Sequence, residues 1–356
     1  MGLSMPVVWS ERHRLHEPGG EVYVGVRTPG TEIAARAERI RDAAEQDGAA
    51  IVPAVEHTDD EALSLHDRGM IQYLRSAWDE WQRSGLWADP GQDRVVPYLF
   101  PHPGLVGAQE FGPAGDVAAR AGTFCFDTMT LIGPGTWEAA RSALDVALTA
   151  ADLTVGGERA AYALCRPPGH HATFNAFGGS CYLNNSAAAA ARLRDRAGMP
   201  VALLDIDAHH GNGAQSIFWR DGSVLTGSVH VDPGAGWFPH FLGFAEEEGQ
   251  GEGKGANLNL PLAPGSEDHA WIEAIERLTS WALDGGARAL VVALGVDAAG
   301  GDPEAPLAVT PGGFAAAGRM LADLSVPTVF VQEGGYELDS IGPLVVQTLS
   351  GFESAT

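Results

Sequence analysis

The chain has 356 residues, 45% hydrophobic and 19% charged, the balance of an ordinary globular protein with length enough for a large core and, if it divided, two domains. A formal net charge of −24 argues against a nucleic-acid partner, whose phosphates would be repelled, and favours cationic or neutral ligands. No apolar run approaches the ~20 residues that cross a bilayer, so no membrane partner is expected. The opening stretch MGLSMPVVWSERHR has no basic segment followed by an apolar one, and Pro6 breaks the myristoylation pattern. Cys125, Cys165 and Cys181 form an odd set without a C-x-x-C pair, as expected of reduced thiols in a cytoplasmic protein.

Helical periodicity marks Thr31–Gln46 first and Ile71–Arg83 second, where Ile71, Leu74, Trp78 and Trp81 share one face. Thr136 reads as the N-cap of WEAARSALDVALTAADL, with Gly156 and Gly157 after its end. From about residue 161 short apolar runs alternate with helical segments: AYALC, VALLDID, VLTGSVH, ALVVALGVD and TVFVQEGG. Continuous apolar strands suit a parallel sheet covered on both faces. The expectation is one α/β domain over 1–356, an open, mostly parallel sheet between helices, with the N-terminal third adding helices and loops around it.

Polar clusters end these strands: Pro167–His171, Asp205–His210, Ser228–His230, Asp297 and Glu333–Tyr336. Ligands of open α/β sheets bind beyond the carboxyl ends of the strands, so the clusters predict one shared pocket. Asp207 and His209, two apart, face one side of a strand end, and Asp297 closes the last strand but one. Two carboxylates and an imidazole with an open position fit a catalytic zinc; ferrous iron or cobalt would satisfy the same set. Such a site acidifies its water weakly and needs a base beside it. His170 and His171 supply a base and an acid, with Asp205 and Asn212 as the partners that set their tautomers. Tyr336, after two glycines, can donate to an oxyanion. The set is built for metal-assisted hydrolysis of an amide or related acyl bond. His57, His66 and His102 read instead as hydrogen-bonded core histidines, His13 and His16 as surface residues, and EEEGQGEG at 246–253 as a solvated loop.

The motifs WSERHRLH, GTWEAA, CRPPGHHA, FGGSCYLNN, DIDAHHGNG, FPHFLGFAEEEGQG, LGVD and EGGY resemble those of the arginase/deacetylase superfamily, specifically zinc-dependent histone deacetylases and bacterial acetylpolyamine amidohydrolases. The resemblance implies that fold, with Asp207, His209 and Asp297 as zinc ligands and His171 as general base and acid. It pairs His170 with Asp205 and His171 with Asn212, makes Tyr336 the oxyanion donor, and leaves His210 structural. It also implies a structural potassium ion on backbone oxygens of Asp205, Asp207, His209, Ser228 and Val229, and a homodimer. In the substrate channel it places Phe238 and, beside Gly179, Ser180 where the relatives have an aromatic residue. Ala118 stands where a relative would read a distal ammonium with an acid, leaving Asp116 and Glu21 as the acidic candidates. The implied activity is removal of an acyl group, most simply acetyl, from a small primary amine such as an acetylpolyamine or a biosynthetic intermediate. A protein acyl-lysine deacylase is the alternative, and a metal-bound sensor without catalysis stands behind both.

Overall fold

The computed structural model describes residues 2–107, 115–304 and 306–355. Its strands are β1 (Val7–Trp9), β2 (Glu21–Tyr23), β3 (Val26–Thr28), β4 (Ile51–Pro53), β5 (Ala160–Ala163), β6 (Val201–Asp205), β7 (Val224–Val231), β8 (Asn257–Leu262), β9 (Ala289–Leu294) and β10 (Thr328–Gln332). Eight form one sheet in the order β4-β1-β5-β10-β9-β6-β7-β8, and every pairing in it is parallel. β2 and β3 make a separate antiparallel hairpin.

The continuous apolar runs have a direct physical cause. Consecutive strand residues point to opposite faces, and both faces are buried. Val8, Ala161, Leu203, Val291 and Val329 join a core beneath helices Arg68–Ser84, Thr136–Val155 and Asn185–Ala197. Their neighbours Val7, Tyr162, Leu204, Val292 and Phe330 join a second core beneath helices Ala34–Gln46, Asp268–Asp284, Pro311–Ala322 and Ile341–Ser354. A strand covered on both sides has no polar face to alternate with.

The N-terminal third does more than surround the sheet: β1 and β4 extend one edge of it. Three-residue strands lie below the length at which a pattern shows. At the other edge β8, NLNLPL, holds Pro261, which only an edge strand accepts. The long helix begins at Thr136 with Gly135 as its N-cap in the left-handed region (φ 72°), so the cap is one residue earlier than expected. The Thr136 hydroxyl instead accepts from Gly133 N–H at 3.0 Å and meets His16 Nδ1 at 3.1 Å.

Several histidines reverse their expected places. His13 and His16 are buried, because the turn Glu11–Leu15 packs against the helix Thr136–Val155, His13 packs on Trp9, and Arg166 donates to both histidine carbonyls. His102 is exposed and caps the short helix Pro103–Val106 through Gly104 N–H. His57 is half-buried between Asp145 and Asp152, and His66 is buried against the Thr173 carbonyl. In the acidic run 246–253, Glu247 is not merely solvated: its carboxylate accepts from Gln215 at 2.6 Å and from Gly243 N–H at 3.0 Å.

Candidate active site

β5, β10, β9, β6 and β7 are successive neighbours in the middle of the sheet, and the polar clusters lie at or just beyond their carboxyl ends, that of β7 (Ser228–His230) within the last residues of the strand. The chain leaves β6 at Asp205 and turns through Asp207 and His209. The Asp205 carboxylate accepts from Asp207 N–H at 3.0 Å, and the Asp207 carboxylate accepts from His209 N–H at 2.8 Å. Asp297, three residues past β9, accepts from Ala208 N–H at 2.9 Å. These backbone bonds bring Asp207, His209 and Asp297 together, one ligand atom of each lying within 4.8 Å of the others. Gly334 donates to Asp207 at 2.8 Å, and a Cβ on Gly334 would come within 2.5 Å of both aspartate carboxylates. Only glycine fits there.

The tandem histidines leave β5 with different partners. His170 Nδ1 meets Asp205 Oδ2 at 2.9 Å; His171 Nδ1 meets Asn212 Oδ1 at 2.7 Å. Asn212 Nδ2 donates to the His171 carbonyl, which turns Oδ1 toward the ring, so Nδ1 carries the proton and Nε2 the lone pair. A carboxylate partner favours imidazolium and an amide favours neutral imidazole. Burial alone would depress His170, but Asp207 and Asp205 push it up to about 10. Burial, with His170 and His209 beside it, holds His171 well below the ordinary range. Burial, reinforced by Asp207, raises Asp297 to about 7; Asp207 stays low against its burial because His170 and His209 flank it. Two buried aspartates and an imidazole converging on one point, with glycine leaving the space open, is a donor set that a divalent cation satisfies.

Tyr336 is held from two sides. Arg36, from the helix Ala34–Gln46, lies 4.5 Å over its ring and donates to the Gly335 and Glu333 carbonyls. Asp302 accepts from Tyr336 N–H at 2.6 Å. Burial first, then Glu304, raises the phenol well above its ordinary value, so it stays protonated as a donor. Glu333 lies behind His170, accepting from Gly169 N–H at 2.6 Å, His170 N–H at 3.0 Å and the Ser186 hydroxyl at 2.6 Å.

Comparison with known proteins decides the family. The family model of the histone deacetylase domain matches residues 31–352. The chain belongs to the histone deacetylase family. It is an enzyme of the deacetylase, or amidohydrolase, kind. It is similar to the acetylpolyamine amidohydrolase of Mycoplana ramosa, 39% identical over 350 residues, 98% of this chain and 99% of that one. Acetylpolyamine amidohydrolase 1 of Pseudomonas aeruginosa is also 39% identical, over 355 residues and the same shares. A crystal structure of acetylpolyamine aminohydrolase from Burkholderia pseudomallei matches with a TM-score of 0.92 at 35% identity, over 99% of both chains.

In this deacetylase a cleft of about 500 Å³ opens over the histidines. His171, His209, Tyr336, Gly179, Ser180, Phe238 and Glu21 line it. The Phe238 ring stands 4.7 Å from that of His171, edge to face. Gly179 lies so close that a Cβ would reach 2.4 Å from the His171 ring, and its φ is +57°. Asp205 and Ser228 are paired in register on β6 and β7, and both line a small polar cavity with His210. Val229 is the next residue along β7 and is buried. His210 is buried, its Nε2 shared by Gln215 and Asn259.

Asp116 is not in the cleft. Its carboxylate caps the helix Val117–Phe124, accepting from Ala118 N–H at 2.8 Å and Ala119 N–H at 3.2 Å, and it lines a separate depression with Trp81 and Tyr98. Ala118 points into the core. The acid that joins Glu21 in the cleft wall is Glu304, which lies outside every motif named above. Its signal was the GDPE run a few residues past GVD. Tyr23, Met129, Gly236, Trp237, His240 and Pro303 complete the lining, and of these only His240 falls in a motif, FPHFLG. Arg36 hides in a helical pattern that reads as surface, and nothing local marks it as the residue beneath Tyr336. Replacing Asp297 with Asn removes one of the two buried carboxylates. Purified D297N should retain its circular dichroism while its content of divalent metal, measured by plasma mass spectrometry, falls at least tenfold below wild type.

Proposed function

We propose that this enzyme deacetylates small amines that carry a second, cationic group, of the acetylpolyamine type, with residues 1–356 acting as one catalytic domain. The observation that carries the reading is the pairing, within one cleft, of the His171–Tyr336 cluster with two carboxylates, Glu21 and Glu304. Burial, and then Glu304 nearby, raises Glu21 to about 7; burial also raises Glu304. Two half-buried acids facing one cavity repel each other, and a bound ammonium group relieves that repulsion. The names of the similar proteins point to the same substrate class.

A divalent cation, zinc by family resemblance, would be held by Asp207, His209 and Asp297 and would supply Lewis acidity toward the acyl carbonyl and the attacking water. His171 Nε2, unprotonated because Nδ1–H donates to Asn212, takes the proton of that water and returns it to the leaving amine. His170, charged beside Asp205, keeps positive charge next to the reacting carbonyl. The Tyr336 hydroxyl donates to the oxygen that becomes negative. Potassium on the backbone oxygens of Asp205, Asp207, His209, Ser228 and Val229 would neutralise part of the remaining charge. The three free, buried cysteines fit a cytoplasmic setting, and among the described residues no helix is long and apolar enough to cross a membrane.

A homodimer fits the surface around the cleft. Val24 (83% exposed) in the turn between β2 and β3, and Phe241 (86% exposed), rim an apolar groove of about 550 Å³ with Phe126 and Leu242. Sedimentation should give twice the 37.3 kDa mass of one chain, and V24D/F241D should sediment as a single chain.

Tyr336→Phe should lower kcat by about 10²–10³, the usual loss of one oxyanion donor, with circular dichroism unchanged; wild-type turnover would overturn the role. Protein acyl-lysine deacylation is the second outcome of the same assay: faster turnover of acetyl-lysine peptides than of acetylated diamines would favour it. Glu21 sets a pH signature. Above about pH 7 its carboxylate is charged, so KM for an acetylated diamine should fall as pH rises from 6 to 8, whereas KM for a neutral N-alkylacetamide stays flat. A raised folded-state pKa also means that ionisation opposes folding: the contribution is intact below the unfolded value of 4.5 and is lost as pH rises to about 7. Glu21→Gln should therefore raise Tm at pH 8, converge on wild type near pH 4.5, and weaken the pH dependence of KM, leaving the part that Glu304 contributes.

A further inference from the structure

The run AGGDPEAP follows β9 and Asp297, and one side chain in it joins two loops that are far apart in sequence. Asp302 is half-buried, and its two oxygens face different segments. Oδ1 accepts from Glu304 N–H at 3.0 Å. Oδ2 accepts from Tyr336 N–H at 2.6 Å and from Glu337 N–H at 3.0 Å, in the loop after β10. Its own N–H donates to the Ala299 carbonyl at 3.2 Å, which ties the residue to the loop just after Asp297. Glu304, placed by Oδ1, reaches the cleft wall and accepts the Thr31 hydroxyl. Tyr336, placed by Oδ2, presents its ring face to Arg36 and forms part of the cleft lining.

These contacts divide the labour on Tyr336. Arg36 binds carbonyls of the segment before it, and Asp302 binds the N–H groups at and after it. A glycine-rich turn has little rigidity of its own, so two opposite charges gripping the two polarities of one backbone stand in for side-chain packing. The same aspartate fixes where Glu304 meets the substrate.

Resting on the cation-reading cleft proposed above, we infer that Asp302 is a positioning residue that sets the distance between the carboxylate reading the substrate's ammonium and the phenol serving its acyl oxygen. It touches neither end of the substrate. It makes a substrate of the right length place its amide and its cation at once, and a misplacement of about 1 Å at either end costs on the order of 10²-fold in rate. A residue of this kind affects kcat through Tyr336 and KM through Glu304, and the two effects separate with the right substrates.

The experiment is a pair of double-mutant cycles on metal-loaded enzyme, read with an acetylated diamine and a neutral N-alkylacetamide of equal length. Asp302→Ala removes both sets of bonds, and Asp302→Asn, which retains one acceptor oxygen, serves if the alanine variant does not fold by circular dichroism. The expected result is a tenfold or greater fall in kcat on both substrates and a severalfold rise in KM for the diamine alone. In a Tyr336→Phe background the kcat loss should vanish, and in a Glu304→Gln background the KM rise should vanish. Additive kcat losses with Tyr336→Phe, or equal KM rises on both substrates, would overturn the inference and leave Asp302 a general structural residue. The cleft reading is checked separately by Glu304→Gln alone. If that variant leaves the diamine's KM unchanged, cation reading and the KM arm both fall, while the kcat cycle still decides the Tyr336 arm.

Discussion

Excess negative charge buried at the carboxyl end of the sheet is the constraint on which the rest of the site depends. Asp205, Asp207, Asp297 and Glu333 are all at most 2% exposed and sit at or just beyond the ends of adjacent central strands. A protein interior does not accept this unless each carboxylate finds donors or counter-charge. Backbone N–H groups of Asp207, Ala208, His209, Gly169, His170 and Gly334 supply the donors. His170, His209 and, through the loop carbonyls, Arg36 supply charge. The close approach of turn to turn is possible because Gly334 presents no Cβ to the aspartates.

That arrangement explains why the two histidine pairs play different parts. In the first pair the contrast between Asp205 and Asn212 separates two otherwise identical rings, one charged and one neutral, 3.9 Å apart by centroid. In the second, His209 turns toward the aspartates, while His210 turns into a polar cluster with Gln215, Asn259 and the ring of His230. Adjacent residues on extended chain diverge, and the sheet end gives the two directions opposite chemistry.

The cleft wall follows other rules. Its side chains come from β2, the 127–130 and 236–240 loops, and the segment after Asp297, none of which carries a regular pattern. They meet because the sheet end holds their anchors: Gly179 N–H donates to Asp127 at 2.5 Å, Ser180 N–H to Thr130 at 2.9 Å, and His230 meets the Gly243 carbonyl at 2.8 Å. The wall is therefore as specific as the floor but is assembled from long-range contacts.

The five central strands were legible in the sequence because burial on both faces makes a strand continuously apolar, and the gathering of the histidine–aspartate cluster was legible because its residues are crowded into short motifs at strand ends. The same local signals failed where a contact spans the chain. Three-residue β1 and β4 pair only because a sheet edge is waiting for them. His13 and His16 are buried by Arg166, about 150 positions away. Asp116 looked like a substrate-reading acid but caps the helix that follows it, while Glu304, beside an unremarkable proline, took the place in the cleft. Sequence alone determined the fold class and the chemical groups, since both rest on neighbours within a few residues. Tertiary structure alone decided which carboxylates line the cleft and what holds Tyr336, because those depend on how loops from separate strands meet in space.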